Sequence, residues 1–106
     1  NPASMTAALR DLAGRNGGRR IAVLGGMAEL GPEGPRYHRE VAAQAAGLDL
    51  VIGVGALAQD YSPTHWVPDA HEAAELLRRL LEPGDVVLVK GSRSVGLEAV
   101  AENLND

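Results

Sequence analysis

Three short apolar runs constrain this chain more than any other feature: Ile21-Ala22-Val23-Leu24, Leu50-Val51-Ile52 and Val86-Val87-Leu88-Val89. Polar residues interrupt none of them, which is the pattern of a strand covered on both faces. Each leads to glycine, at Gly25-Gly26, Gly53-Val54-Gly55 and Lys90-Gly91. Helical patterns lie between them. Met5, Ala8, Leu9 and Leu12 share one helical face, with Asn1 as the cap, Pro2 in the first turn and Gly14 as the stop. A second helix is expected from about Arg36 to Ala46, before Gly47. A third follows Asp69, with Glu72 placed as in a capping box, Ala73, Leu76, Leu77 and Leu80 on its apolar face, and Pro83-Gly84 ending it. Leu97, Val100, Ala101 and Leu104 mark a last helix; a helical turn over Ala56–Gln59 and a short strand around His65–Val67 complete the set.

Strands alternating with helices predict an α/β fold, a Rossmann-like three-layer αβα domain with a mainly parallel sheet. At 106 residues the chain makes one domain. Its aromatics are Tyr37, Tyr61 and Trp66, so Val, Leu, Ile and Ala must build the core. The lack of cysteine excludes disulfides and thiolate metal sites. A net charge of −4 argues against nucleic acid as the main partner. No apolar run approaches the roughly 20 residues a membrane span needs.

In a parallel sheet, ligands bind beyond the carboxyl ends of the strands. The exit Lys90-Gly91-Ser92-Arg93-Ser94 is the most informative, since it holds the one Lys of a chain with nine Arg. At a strand-to-helix passage, free backbone N–H groups and the helix dipole favour an anion. Gly91 admits close approach, Lys90 and Arg93 supply charge, and Ser92 supplies a hydroxyl; the alternative is a solvated polar turn. Gly25 to Gly31 and Gly53 to Gly55 do not complete G-x-G-x-x-G, so turn chemistry outweighs a dinucleotide loop at both. Glu29 is a loop anchor or a ligand contact. His38, a lone histidine, fits a surface or packing role better than catalysis. His71-Glu72-Ala73-Ala74-Glu75 lacks the second histidine of a zinc helix, and no metal site is expected. No G-x-x-x-x-G-K-[ST] loop occurs, so the chain cannot hold a triphosphate in that way.

Four segments in register resemble the C-terminal domain of Mur-type peptidoglycan ligases, in particular the branch that adds D-alanyl-D-alanine. Asn1-Pro2-Ala3-Ser4-Met5 is similar to the family's N-P-x-S-M opening, and Arg20 to Gly31 to its "IAVLGDMLELG" strand and loop. Leu50 to Gly55 is similar to "DLVIGVG", and Gly84 to Arg93 to "GDVVLVKGSR". His38 stands where the family carries a histidine after that loop. The family's Asp is Gly26 here, and its "MRLE" is Val95-Gly96-Leu97-Glu98, without the basic residue.

The resemblance implies that residues 1–106 are an amino-acid- or dipeptide-binding, ATP-clamping domain. The N-terminal domain and the central ATPase domain of such ligases are not in this sequence. It implies a cytoplasmic ligase that uses ATP and Mg²⁺ to join D-Ala-D-Ala to a UDP-N-acetylmuramoyl-tripeptide through an acyl phosphate. The isolated chain is expected to be inactive and to hold no cofactor tightly. Asn1 and Pro2 would lie near ATP, and Lys90, Gly91, Ser92 and Arg93 would face the substrate, Lys90 as the candidate charge stabiliser. Gly25, Gly26, Glu29 and His38 are the loop candidates. The expected partner is the central ATPase domain, with no nucleic acid and no membrane. The competing reading is a stand-alone Rossmann-like module that binds a nucleotide or anionic metabolite without catalysis. A response-regulator switch would need acids after the first strand, where Gly25-Gly26 supplies none.

Overall fold

The computed structural model describes residues 1–27 and 30–91. Helix α1 spans Pro2–Gly14, strand β1 Arg20–Gly25, helix α2 Gly34–Ala45 and strand β2 Leu50–Val54. Strand β3 follows at His65–Val67, then helix α3 at Ala70–Leu80 and strand β4 at Val86–Lys90. Two 3-10 segments, Gly31–Glu33 and Ala56–Tyr61, lead into α2 and follow β2. The sheet runs β3-β2-β1-β4 and every pairing is parallel. The expected α/β architecture is therefore present, with the three apolar runs as neighbours.

The caps form as their side chains dictate. Asn1 Oδ1 accepts the Ser4 N–H at 2.8 Å, and Asp69 Oδ1 accepts the Glu72 N–H at 2.9 Å. Each satisfies one orphan donor of a first helical turn, a cap worth about 1 kcal/mol. Gly14 ends α1 without a left-handed turn: the chain leaves through Arg15 in extended conformation (φ −76°). Helix α2 begins two residues before the expected Arg36, because Pro35 sits in its first turn, where a missing N–H costs nothing. Strand β2 runs on through Gly53 and Val54, since both pair with β1 or β3.

Side chains alternate across the sheet and split the core into two layers. Met5, Leu9 and Leu12 of α1 and Val41 and Ala45 of α2 cover Ala22, Leu24 and Val51 on one face. Ala73, Ala74 and Leu77 of α3 cover Ile21, Val23, Ile52 and Val54 on the other. Strand β1 is the centre, with Ile21 to Leu24 fully buried. Strand β4 departs from the expectation of a fully buried run: Val86 to Lys90 are half-buried. It has β1 on one side and no strand on the other among the described residues. A groove of about 220 Å³ follows that free side, lined by Ala8, Asp11, Leu12, Arg15, Val86, Val87 and Leu88. The last expected helix lies outside the described residues.

At the opposite end from the strand exits, Arg19 grips Asp85. Its Nε donates to Oδ1 at 3.1 Å and its Nη2 to Oδ2 at 2.9 Å, while Nη2 also donates to the Leu80 carbonyl at 2.7 Å. The Asp85 side chain is 2% exposed. These bonds tie the starts of β1 and β4 to the end of α3. The Arg19 guanidinium, helped by the Glu82 N–H, holds the Asp85 carboxyl below its ordinary range.

Candidate functional site at the carboxyl edge of the sheet

Parallel pairing puts all the strand exits on one edge. Gly25 pairs with Val54 and Leu24 with Lys90, so the exits of β1, β2 and β4 are side by side. Neighbouring side chains in such a ladder share a face. Leu24 and Leu88 belong to the α1/α2 layer, so Lys90, two residues after Leu88, projects to that same side.

Helix α1 runs antiparallel to the strands on this face. Its last turn lies at the start of β1, where Arg20 Nε donates to the Leu12 carbonyl at 3.2 Å and Arg20 Nη2 to the Arg15 carbonyl. Ala8, Asp11, Leu12 and Arg15 of this helix and its exit share the groove with Val86 to Leu88 of β4. The N-terminus of α1, with Asn1 and Pro2, therefore sits at the carboxyl edge, on the Lys90 side. The first turn of α2 starts from the same edge. Two helix N-termini bring partial positive charge to one place, and Lys90 adds a full one. Among the described residues no carboxylate pairs with Lys90. Gly91 is exposed. Ser92, Arg93 and Glu29 lie outside the described residues.

The glycines divide between packing and turning. A Cβ on Gly26 would lie 2.3 Å from Leu57 Cβ, so the residue is glycine because Leu57 occupies its side-chain space. No carboxylate can stand at that position without moving the backbone of the 3-10 segment. A Cβ on Gly53 would meet the Ala58 carbonyl and Pro63 at 3.0 Å. Gly55 takes φ 89°, a left-handed conformation that favours glycine, and is pinned there by its N–H to the Val67 carbonyl and by the Trp66 Nε1–H at 2.8 Å. Gly53-Val54-Gly55 is thus turn and packing chemistry.

His38 is 2% exposed. Its Nε2 accepts the Met27 N–H at 2.9 Å, and its Nδ1 lies 2.7 Å from the Gly34 carbonyl. An amide can only donate and a carbonyl can only accept. Both bonds form together only in the neutral tautomer that carries its proton on Nδ1. The ring stacks on Tyr61 with centroids 5.0 Å apart, and the Tyr61 hydroxyl donates to the Gly25 carbonyl at 2.9 Å. Burial pushes the Tyr61 phenol above its ordinary range. His38 is therefore buried, not on the surface, with both ring nitrogens bonded to backbone. Tyr61 enters the sequence reading only as one of three aromatics, because it lies just past the expected turn over Ala56–Gln59 and its contact with Gly25 is distant in the chain. His71 and Glu75 form a solvent-facing pair on α3 at 3.2 Å.

The family described as "Mur ligase, glutamate ligase domain" matches residues 1–93. The UDP-N-acetylmuramoyl-tripeptide–D-alanyl-D-alanine ligase of Synechocystis is 41% identical over 95% of this chain and 24% of its own length. That of Escherichia coli K12 is 40% identical over 100% of this chain and 25% of its own. The crystal structure of Thermotoga maritima MurF ligase in complex with ADP superposes with a TM-score of 0.86 at 29% identity, over 97% of this chain and 25% of that one. MurF from Acinetobacter baumannii superposes with a TM-score of 0.84 at 27% identity, over 100% of this chain and 26% of that one. The chain thus spans about a quarter of the length of the relatives it matches. It belongs to the Mur ligase family, as a C-terminal domain similar to that of the D-alanyl-D-alanine-adding ligases.

Proposed function

We propose that residues 1–106 form the dipeptide-binding, ATP-clamping domain of an ATP-dependent ligase that joins D-Ala-D-Ala to a UDP-N-acetylmuramoyl-tripeptide. The observation that carries this reading is the placement of Lys90 at the carboxyl edge, with no carboxylate partner among the described residues and on the same side as the N-terminus of α1. ATP with Mg²⁺ supplies the phosphoryl group that activates the tripeptide carboxylate. The remaining demand is electrostatic. A dipeptide carboxylate must be held while its amine attacks, and negative charge on the activated acyl group must be met by donors already in place. Lys90 would meet that charge. Gly91 would let backbone approach the ligand, and Ser92 and Arg93, by their match to the family's loop, would hold the dipeptide. Asn1 and Pro2 would face the nucleotide when this edge closes on the central ATPase domain. Glu29 remains a loop candidate for substrate contact, and such a ligase would work in the cytoplasm.

A three-domain ligase carrying this chain as its C-terminal domain tests the proposal. Supplied with ATP, Mg²⁺, the UDP-linked tripeptide and D-Ala-D-Ala, it should release ADP and phosphate in step with a pentapeptide product. Nucleotide binding without product would favour the non-catalytic module instead.

A further inference from the structure

Two hydrogen bonds at the β1 exit go beyond holding the core. The Tyr61 hydroxyl fixes the Gly25 carbonyl, and His38 Nε2 fixes the Met27 N–H two residues on. The two rings stack, so each limits the other's movement. They sit under the stretch of backbone that leaves the sheet beside Lys90, since Leu24 is the register partner of Lys90. Met27 is 5% exposed, so its N–H has little access to water as a substitute partner. A hydrophobic residue at position 38 would fill the same space without an acceptor. A histidine that uses both ring nitrogens on backbone fixes the path of the exit.

We propose that His38 is a positioning residue for the dipeptide site: by holding the Met27 N–H, with Tyr61 holding the Gly25 carbonyl, it fixes the β1 exit that borders Lys90. The inference rests on the functional reading above. His38 touches neither substrate nor nucleotide in this account and acts through the backbone of Gly25 to Met27.

Two substitutions separate the two ring nitrogens. In His38→Gln the side-chain oxygen can take the place of Nε2 as acceptor for Met27. In His38→Asn the shorter amide can take the place of Nδ1 as donor to Gly34, and the Met27 N–H loses its histidine acceptor and keeps only the Tyr61 hydroxyl nearby. Amide exchange measured on the 106-residue chain should therefore be about tenfold faster at Met27 in His38→Asn than in His38→Gln, the scale of one lost hydrogen bond. In a three-domain ligase carrying the chain, His38→Asn should lower kcat/KM for D-Ala-D-Ala by about tenfold, and His38→Gln should restore it to within about threefold. Equal exchange at Met27 in the two variants would overturn the clamp. Faster exchange in His38→Asn with unchanged kcat/KM would overturn its role in the reaction. Should both His38 variants fail to fold, Tyr61→Phe keeps the stacked ring and removes the hydroxyl that bonds the Gly25 carbonyl and also lies beside the Met27 N–H. It should lower kcat/KM severalfold, and unchanged kinetics in that variant would equally overturn the proposal. If the unaltered enzyme adds no D-Ala-D-Ala, the functional reading falls, while the exchange comparison still decides the clamp.

Discussion

Lys90 is the parallel register partner of Leu24, so a cation and the last buried side chain of the central strand reach the same edge of the sheet together. This pairing gives the charge a rigid base. Leu24 is held by the α1/α2 layer and cannot shift without opening the core. A lysine on such a base is a compact point charge with a flexible reach, unlike the planar fork of the chain's arginines.

Gly26→Ala should destabilise the fold by about 1–3 kcal/mol, the usual result of forcing a group into filled space. The obstacle is Leu57 Cβ, which alanine also carries. Leu57→Ala should therefore fail to relieve the substitution, whereas Leu57→Gly should relieve part of it. Denaturant unfolding of the single and double variants measures this. Additive effects of Gly26→Ala and Leu57→Gly would show that the two positions do not compete for space.

Asp85→Asn should lower the melting temperature at neutral pH, with a defined pH dependence. The folded-state pKa of Asp85 is depressed, chiefly by its hydrogen bonds from Arg19. Its contribution is therefore complete above the unfolded carboxylate value of about 4, and is lost as the pH falls through the lower folded value. Wild type and variant should differ most above that range and converge below it. Arg19 is one-third exposed, so added salt should also narrow the gap. Melts from neutral to acid pH check both statements, and a gap that widens on acidification would contradict them.

Much of this architecture was legible in the sequence. Unbroken apolar runs gave β1 and β2, and the caps Asn1 and Asp69 gave the starts of α1 and α3, because both signals depend on neighbours close in the chain. What was missed depends on contacts between distant residues. Tyr61 reaches Gly25 across 36 positions and Arg19 reaches Asp85 across 66. The half-burial of β4 follows from strand order, which a run of valines does not encode. Gly26 was read as a departure from a family pattern, and only the approach of Leu57 gives its reason. The place of Lys90 at the end of a strand is legible because exit and charge are both local features, whereas its face of the sheet follows from the register with Leu24.

The 106-residue chain alone should neither hydrolyse ATP nor form a peptide bond, because it contains no G-x-x-x-x-G-K-[ST] loop. Coupled detection of ADP, against a buffer blank and with contaminating ATPases excluded, checks this. Turnover by the purified chain would mean that a different nucleotide site exists within it.

The central claim is that the β4 exit serves the chemistry, and steady-state kinetics of Lys90→Ala test it most directly. In a three-domain ligase carrying this domain, at saturating ATP and with melting curves confirming the fold, kcat/KM for D-Ala-D-Ala should fall by roughly 10²–10³, the scale of losing one preorganised donor. Arg93→Ala should act more on KM for the dipeptide. An ordinary surface lysine would change the barrier by less than about 0.5 kcal/mol. A folded Lys90→Ala enzyme with wild-type kcat/KM for D-Ala-D-Ala would contradict the account.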